Sequence, residues 1–136
     1  MTTATGFFTV SDFTPTDYRS GVTTAVGVGH AHMVKTFTGE MDGRALTQFS
    51  YAFSAETGVG TYVAMESFEG TINGRSGTFN FAHSATTQGA SRENEYFTIV
   101  PTSGTAELAG IIGTGTILMD GGPERVVLEY TLPEPA

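Results

Sequence analysis

Residues 62–86 read YVAMESFEGTINGRSGTFNFAHSAT, and the dipeptide Asn73-Gly74 inside them decides how the rest is folded. Asn-Gly is among the strongest signals for a two-residue hairpin loop, because a type I′ turn needs positive φ at both central positions. With that loop, Ile72 faces Arg75, Phe68 faces Phe79, Glu66 faces Phe81 and Ala64 faces His83. Strict alternation along each strand then sorts the side chains onto two faces. One face carries Tyr62, Ala64, Glu66 and Phe68 beside Phe79, Phe81 and His83. The other carries Thr61, Val63, Met65, Ser67 and Glu69 beside Thr78, Asn80, Ala82 and Ser84. The aromatic face is expected to point inward, taking one carboxylate and one imidazole with it. Glu66 and His83 become diagonal neighbours, roughly 7–8 Å apart at Cβ. A four-residue loop would set them opposite each other and leave both faces unchanged.

The end of that first strand, FEGTINGR at 68–75, repeats a phrase met earlier as FTGEMDGR at 37–44. The repeat reads as turn chemistry used twice. Asp42-Gly43 is expected to close a second hairpin, Gly39 and Gly70 to sit in bulges that coil the strand before its turn, and Arg44 and Arg75 to begin the return strands in solvent. Asp42-Gly43 as the loop pairs Thr36 with Phe49, Val34 with Tyr51, and His32 with Phe53. That face is again aromatic and is expected inside. It leaves Phe37 with the polar set, at the rim.

Outward from these hairpins, further strands are expected at Gly6–Asp12, Gly29–Phe37, Leu46–Ser54, Thr61–Ile72, Thr78–Thr86, Glu93–Val100, Thr105–Met119 (broken by glycines) and Glu124–Leu132. Turn residues separate them, at Thr57-Gly58, Gly89, Pro101 with Gly104, and Gly121-Gly122-Pro123. Eight short strands at regular spacing point to an all-β antiparallel fold. Glycines inside the strands supply the bending that closure requires, so the expected architecture is a single-domain up-and-down β-barrel spanning residues 1–136. The segment Phe13–Val28 is the least regular and is expected to cross one mouth. The last strand turns Val126, Leu128, Tyr130 and Leu132 inward, while either Tyr96 or Phe97 could face the lumen from 93–100.

Composition fits. Of 136 residues, 18 are glycine and only 15% are charged, and no window holds a 3.6-residue apolar period. The net charge of −8 argues against nucleic acid and against anionic membrane surfaces, both of which draw affinity from basic groups. Cysteine is absent, which removes disulfides, thiolate metal sites and cysteine nucleophiles. No signal peptide and no apolar run of spanning length is visible, so a soluble cytoplasmic protein is expected. The sequence leaves assembly into a homo-oligomer open.

Glu66 and His83 are the strongest chemical pair, a carboxylate and an imidazole suited to acid–base work on an otherwise aromatic face. The structural alternative is a buried pair that fixes the barrel. His30-Ala-His32 could share a metal, but the acid that would complete such a site is missing, with Lys35, Thr36 and Phe37 in its place. No metal or other cofactor is expected. Gly110-Ile-Ile-Gly113-Thr-Gly115 has the wrong order for a phosphate loop, and no G-x-S-x-G is present. Tyr51, Phe53, Tyr62, Phe68, Phe79, Phe81, Tyr96 and His32 are the candidate walls of a ligand pocket, an outcome that an eight-stranded barrel allows.

Three stretches, TFTGEMDG at 36–43, the 62–86 hairpin, and FTIVPTSGTAELAGIIGTG at 97–115, resemble an uncharacterised family, the "protein of unknown function 3224" family, grouped with allene oxide cyclase-like barrels. The family's Glu-Arg pair is represented here by Glu66 and Ser67, and its histidine in the next strand by His83. The resemblance implies a calycin-like barrel with an internal apolar cavity. Its fold relatives include cyclases that hold a flexible apolar substrate in a reactive shape, and such positioning can supply much of a barrier without a cofactor. The expected function is therefore binding of a small hydrophobic molecule, with Glu66 and His83 steering a cofactor-free cyclisation or isomerisation. The alternative is a carrier or sensor that leaves the ligand unchanged.

Overall fold

Asn73 and Gly74 take φ values of 47° and 82°, and the hairpin they close pairs Ile72 with Arg75, Phe68 with Phe79, Glu66 with Phe81 and Ala64 with His83. In the computed structural model, which describes residues 1–133, this hairpin is the centre of a closed antiparallel barrel. Its strands are β1 (Thr2–Pro15), β2 (Val28–Gly39), β3 (Met41–Phe53), β4 (Val59–Ile72), β5 (Arg75–Gln88), β6 (Ser91–Ile99), β7 (Ile112–Leu118) and β8 (Arg125–Thr131). Each strand pairs with the next, and β8 returns to β1, in the up-and-down order. Among the described residues no helix is long and apolar enough to cross a membrane.

The second copy of the repeated phrase behaves differently from the first. The chain reverses between Gly39 and Met41, and Asp42-Gly43 lies within β3. Thr36 therefore pairs with Arg44, Val34 with Leu46 and His32 with Gln48, five residues from the register that Asp42-Gly43 would have set. An odd shift exchanges the two faces. His32 and Thr36 are exposed, while Lys35 is buried and Phe37, at 1% exposure, is a core residue. Gly43 is needed for a close approach. It sits opposite Gly70, which in turn sits opposite Gly77, so glycine faces glycine across three strands. A Cβ on Gly70 would lie 2.0 Å from the Asp42 carbonyl oxygen. Gly70 stays in register on both sides, so it is not a bulge; it lets the sheet coil sharply at the barrel's closed end.

That end is filled by Phe37, Phe68, Phe79 and Phe81 with Val126 and Leu128, each phenyl ring stabilising the fold by about 1.5–3 kcal/mol on burial. The connection from β6 to β7 plugs it from below. The strand expected over 105–119 is there a short 3-10 turn, Ala106–Leu108, followed by β7, and it carries the wholly buried Leu108 and Ile111. In β6 it is Phe97 and Ile99 that point inward, while Tyr96 stands 58% exposed on the outside. The β6–β7 ladder is reduced to one pair, Thr98 with Thr114, and the ring of Phe97 covers Gly115 beside it. At the open end, Phe13 reaches the mouth and packs edge-on against Phe49, with ring centroids 5.8 Å apart. The rest of the segment expected to cross that mouth turns away, and Tyr18 packs instead on His30, outside β2.

Candidate functional site

Just above the phenylalanine layer, β2, β3, β4 and β5 each turn one polar side chain into the lumen. Glu66 of β4 is wholly buried (0% exposed) and accepts hydrogen bonds from three sides. The Thr47 hydroxyl of β3, directly across the ladder, donates to its Oε1 at 2.7 Å. The Lys35 ammonium of β2 donates to its Oε2 at 2.7 Å, and His83 Nε2 of β5 reaches the same oxygen. The chain of contacts continues upward. Tyr62 OH lies 2.8 Å from His83 Nδ1, Arg92 Nη2 donates to Tyr62 OH at 2.7 Å, and Arg92 Nε donates to Glu95 at 3.0 Å.

Bringing a carboxylate this deep costs several kcal/mol unless its charge is matched and its lone pairs are occupied. Desolvation pushes the Glu66 pKa up, but the His83 hydrogen bond and the Lys35 charge outweigh it, and the carboxyl is held below its ordinary range. Desolvation dominates at His83 and pushes it down, against the opposing pull of Glu66. The pair is therefore an ionised carboxylate and a neutral imidazole. Nε2 then carries the proton and donates to Glu66, which leaves Nδ1 as an acceptor. Tyr62 donates to that nitrogen, and burial raises the tyrosine pKa while the hydrogen bond and charge of Arg92 lower it. Every donor in the sequence Arg92, Tyr62, His83, Glu66 points the same way.

Two adjacent cavities open over this network. One, of about 210 Å³, is bordered by Lys35, Tyr62, Ala64, His83, Arg92 and Met119, among others. The other, of about 260 Å³, lies at the rim against Tyr51, Phe53 and Phe13, and shares Phe49 and Tyr62 with the first. A larger groove, of about 750 Å³, runs over the outside of β2–β4 past Tyr18, His30 and Leu46; of the buried network it meets Thr47.

Glu66 and His83 are brought together as their spacing implied, but Glu66 borders neither mouth cavity; it meets the deeper one through His83 and Lys35. Tyr62 is the expected wall residue that meets both. Tyr51 and Phe53 line the rim only, Phe53 being 56% exposed. Phe68, Phe79 and Phe81 belong to the solid core below and line neither mouth cavity. Tyr96 and His32 are corrected to the outer face, each displaced by a one-face error in its strand. The histidines do not converge, since His30 bonds Ser50 on the outside while His83 is inside. Among the described residues no three His, Cys, Asp or Glu side chains form a metal site.

Lys35, Thr47 and Arg92 were missed. A lone lysine within an otherwise uncharged strand, five residues after His30, was the available signal for the first. Ser67, in the position where the resemblance expected arginine, lies outside with Asn80, so that exchange does not touch the lumen network.

Residues 4–130 match the model of a family described as "Protein of unknown function (DUF3224)". A solved structure from Shewanella oneidensis MR-1, described as a protein with unknown function from the DUF3224 family, is similar at 32% identity and a TM-score of 0.85, over 100% of this chain and 99% of that one. No curated protein matches the chain.

Proposed function

The chain belongs to the DUF3224 family, and we propose that it binds a small, largely apolar molecule in the mouth of the barrel and isomerises or cyclises it without a cofactor. Tyr62 and His83 are the groups that would exchange protons with the ligand. Glu66 holds the tautomer of His83, and Lys35 and Thr47 hold Glu66. The observation that carries this reading is the run of aligned donors from Arg92 through Tyr62 and His83 to Glu66, whose tyrosine hydroxyl and imidazole stand on the cavity wall. A structural ion pair would need no such extension to the lumen. The cyclase half also draws on the resemblance of the sequence to allene oxide cyclase-like barrels. A second reading, a carrier or sensor, is favoured by the apolar rim of Tyr51, Phe53 and Phe13, which would hold a ligand with no chemistry at all.

The first test is the place of binding. An apolar fluorescent dye should bind the wild type, lose affinity when Ile117, which borders the deeper cavity, is enlarged in Ile117→Phe, and be unaffected by Leu46→Lys in the outer groove. The opposite pattern would move the ligand outside the barrel. Native mass spectrometry of the purified protein then seeks a co-purified molecule. If Tyr62→Phe and His83→Gln retain it and turn it over as the wild type does, the catalytic half fails and the carrier stands.

A further inference from the structure

Arg92 is built into the site without being fully used by it. Its side chain is 10% exposed, its Nε is taken by Glu95 and its Nη2 by Tyr62. A guanidinium has five N–H donors. Among the described residues, the partner of Nη1 is the thioether of Met119 at 3.8 Å, a weak acceptor. Arg92 and Met119 both border the deeper mouth cavity, and Arg92 also borders a cavity of about 160 Å³ in the β6–β7 seam. Nη1 of this guanidinium thus stands beside the cavity with a thioether as its partner.

The charges around it restrict what could. Lys35 is matched by Glu66 and Arg92 by Glu95, and Glu124 also borders the cavity. The site offers hydrogen-bond donors with no surplus of positive charge, inside a protein of net charge −8. A ligand anion would find no unpaired cation and a nearby carboxylate. A neutral oxygen that becomes negative only during reaction suits the arrangement.

Building on the ligand-binding reading above, we infer that the ligand is a neutral, enolisable carbonyl compound whose oxygen is held by Arg92 Nη1 while Tyr62 handles its α-proton. The step balances without a co-reactant. The Cα–H bond breaks and its proton goes to the Tyr62 oxygen as that oxygen's own proton moves to His83 Nδ1. The electron pair moves into the carbonyl, giving an enolate oxygen on Arg92, and the imidazolium is paired with Glu66. Where the carbonyl compound carries a β,γ double bond, the enolate extends to Cγ. Returning the proton from Tyr62 to Cγ, as His83 gives its own back to the Tyr62 oxygen, then completes an isomerisation. In a simple ketone the proton returns to Cα and the step is seen as exchange. Preorganised donors at the oxygen that gains charge are the usual source of rate in such steps.

Three ligands of nearly equal size separate the alternatives: acetophenone, benzoate and ethylbenzene, each competing against the apolar dye. Acetophenone should displace the dye at about one tenth the concentration of ethylbenzene or less, the value of a hydrogen bond to a charged donor, and should surpass benzoate. Arg92→Met should erase the preference for acetophenone and leave ethylbenzene unchanged. In D₂O the wild type should place deuterium in the acetophenone methyl group, and Tyr62→Phe should not. Ethylbenzene equal to acetophenone, or benzoate the tightest, overturns the carbonyl assignment and leaves lumen binding intact. A dye indifferent to all three ligands and to Ile117→Phe overturns lumen binding itself. The comparison on wild type decides the matter even if Arg92→Met fails to fold.

Discussion

Lys35→Met is the sharpest perturbation of the buried network. It removes the ammonium 2.7 Å from a carboxylate that has no contact with water, while methionine keeps the length of the stem. Breaking a buried pair from one side costs about 3–5 kcal/mol. Thr47 and His83 still donate to Glu66, which places the loss at the low end, about 3 kcal/mol. Unfolding entropy near 60 °C is about 2.1 cal/mol/K per residue, so for 136 residues it is about 0.29 kcal/mol/K, and the midpoint should fall by about 10 °C. Calorimetry at pH 7.5 reads this directly. The companion Lys35→Met/Glu66→Gln should melt above Lys35→Met, because the uncompensated charge is then gone. A fall of less than about 3 °C in the single variant, or a double variant that melts at or below it, would refute the claim that Glu66 is a desolvated anion held by its partners.

His83 and Glu66 both have folded-state pKa values below their ordinary 6.5 and 4.5, so each contributes stability that is complete above those values and is lost as pH falls toward the folded pKa. The melting temperature should decline in two stages below about pH 6.5, and His83→Gln should remove the first; a flat profile between pH 8 and 5 contradicts it. Gly70→Ala should cost about 3 kcal/mol or more by urea titration, since φ is +154° and the new Cβ meets a carbonyl at 2.0 Å, whereas Gly74→Ala, at φ +82° with open space around it, should cost about 1–2 kcal/mol. Equal costs would mean that the glycine row is not under contact. Tyr96→Ser should leave dye binding unchanged and stability within about 0.5 kcal/mol; loss of binding would return that ring to the lumen.

How far the sequence could be read depended on what each glycine was for. At Asn73-Gly74 the dipeptide met its own requirement for positive φ at two successive residues, so the register, the inward face and the Glu66–His83 pair were all legible. At Asp42-Gly43 the same pattern was present for a different reason, the contact of Gly43 with the Gly70 backbone across the ladder, which depends on a strand far along the chain. One misplaced turn then inverted β2 against a correctly faced β3, sending His32 inward and Lys35 outward. Phe37, stranded among polar residues in that reading, was the sign of the error. For β6, an irregularity in the ladder between Ser84 and Thr86 breaks the alternation that would have chosen Phe97 over Tyr96. Of the missed polar members of the lumen, Lys35 and Arg92 lay on the two strands whose facing was misjudged or undecided. The site could be half seen for that reason.

The single ladder pair between β6 and β7 has a bearing on how anything reaches His83. Every other seam is zipped by six or more ladder pairs; here the wall is held by a phenyl ring lying on a glycine and by the plug beneath. Parting those two staves would break few peptide contacts and would uncover the imidazole from the flank while the phenylalanine layer stayed assembled. Amide protons along this slit should trade with solvent sooner than those of the β3–β5 wall, which makes the slit a side door to the chamber.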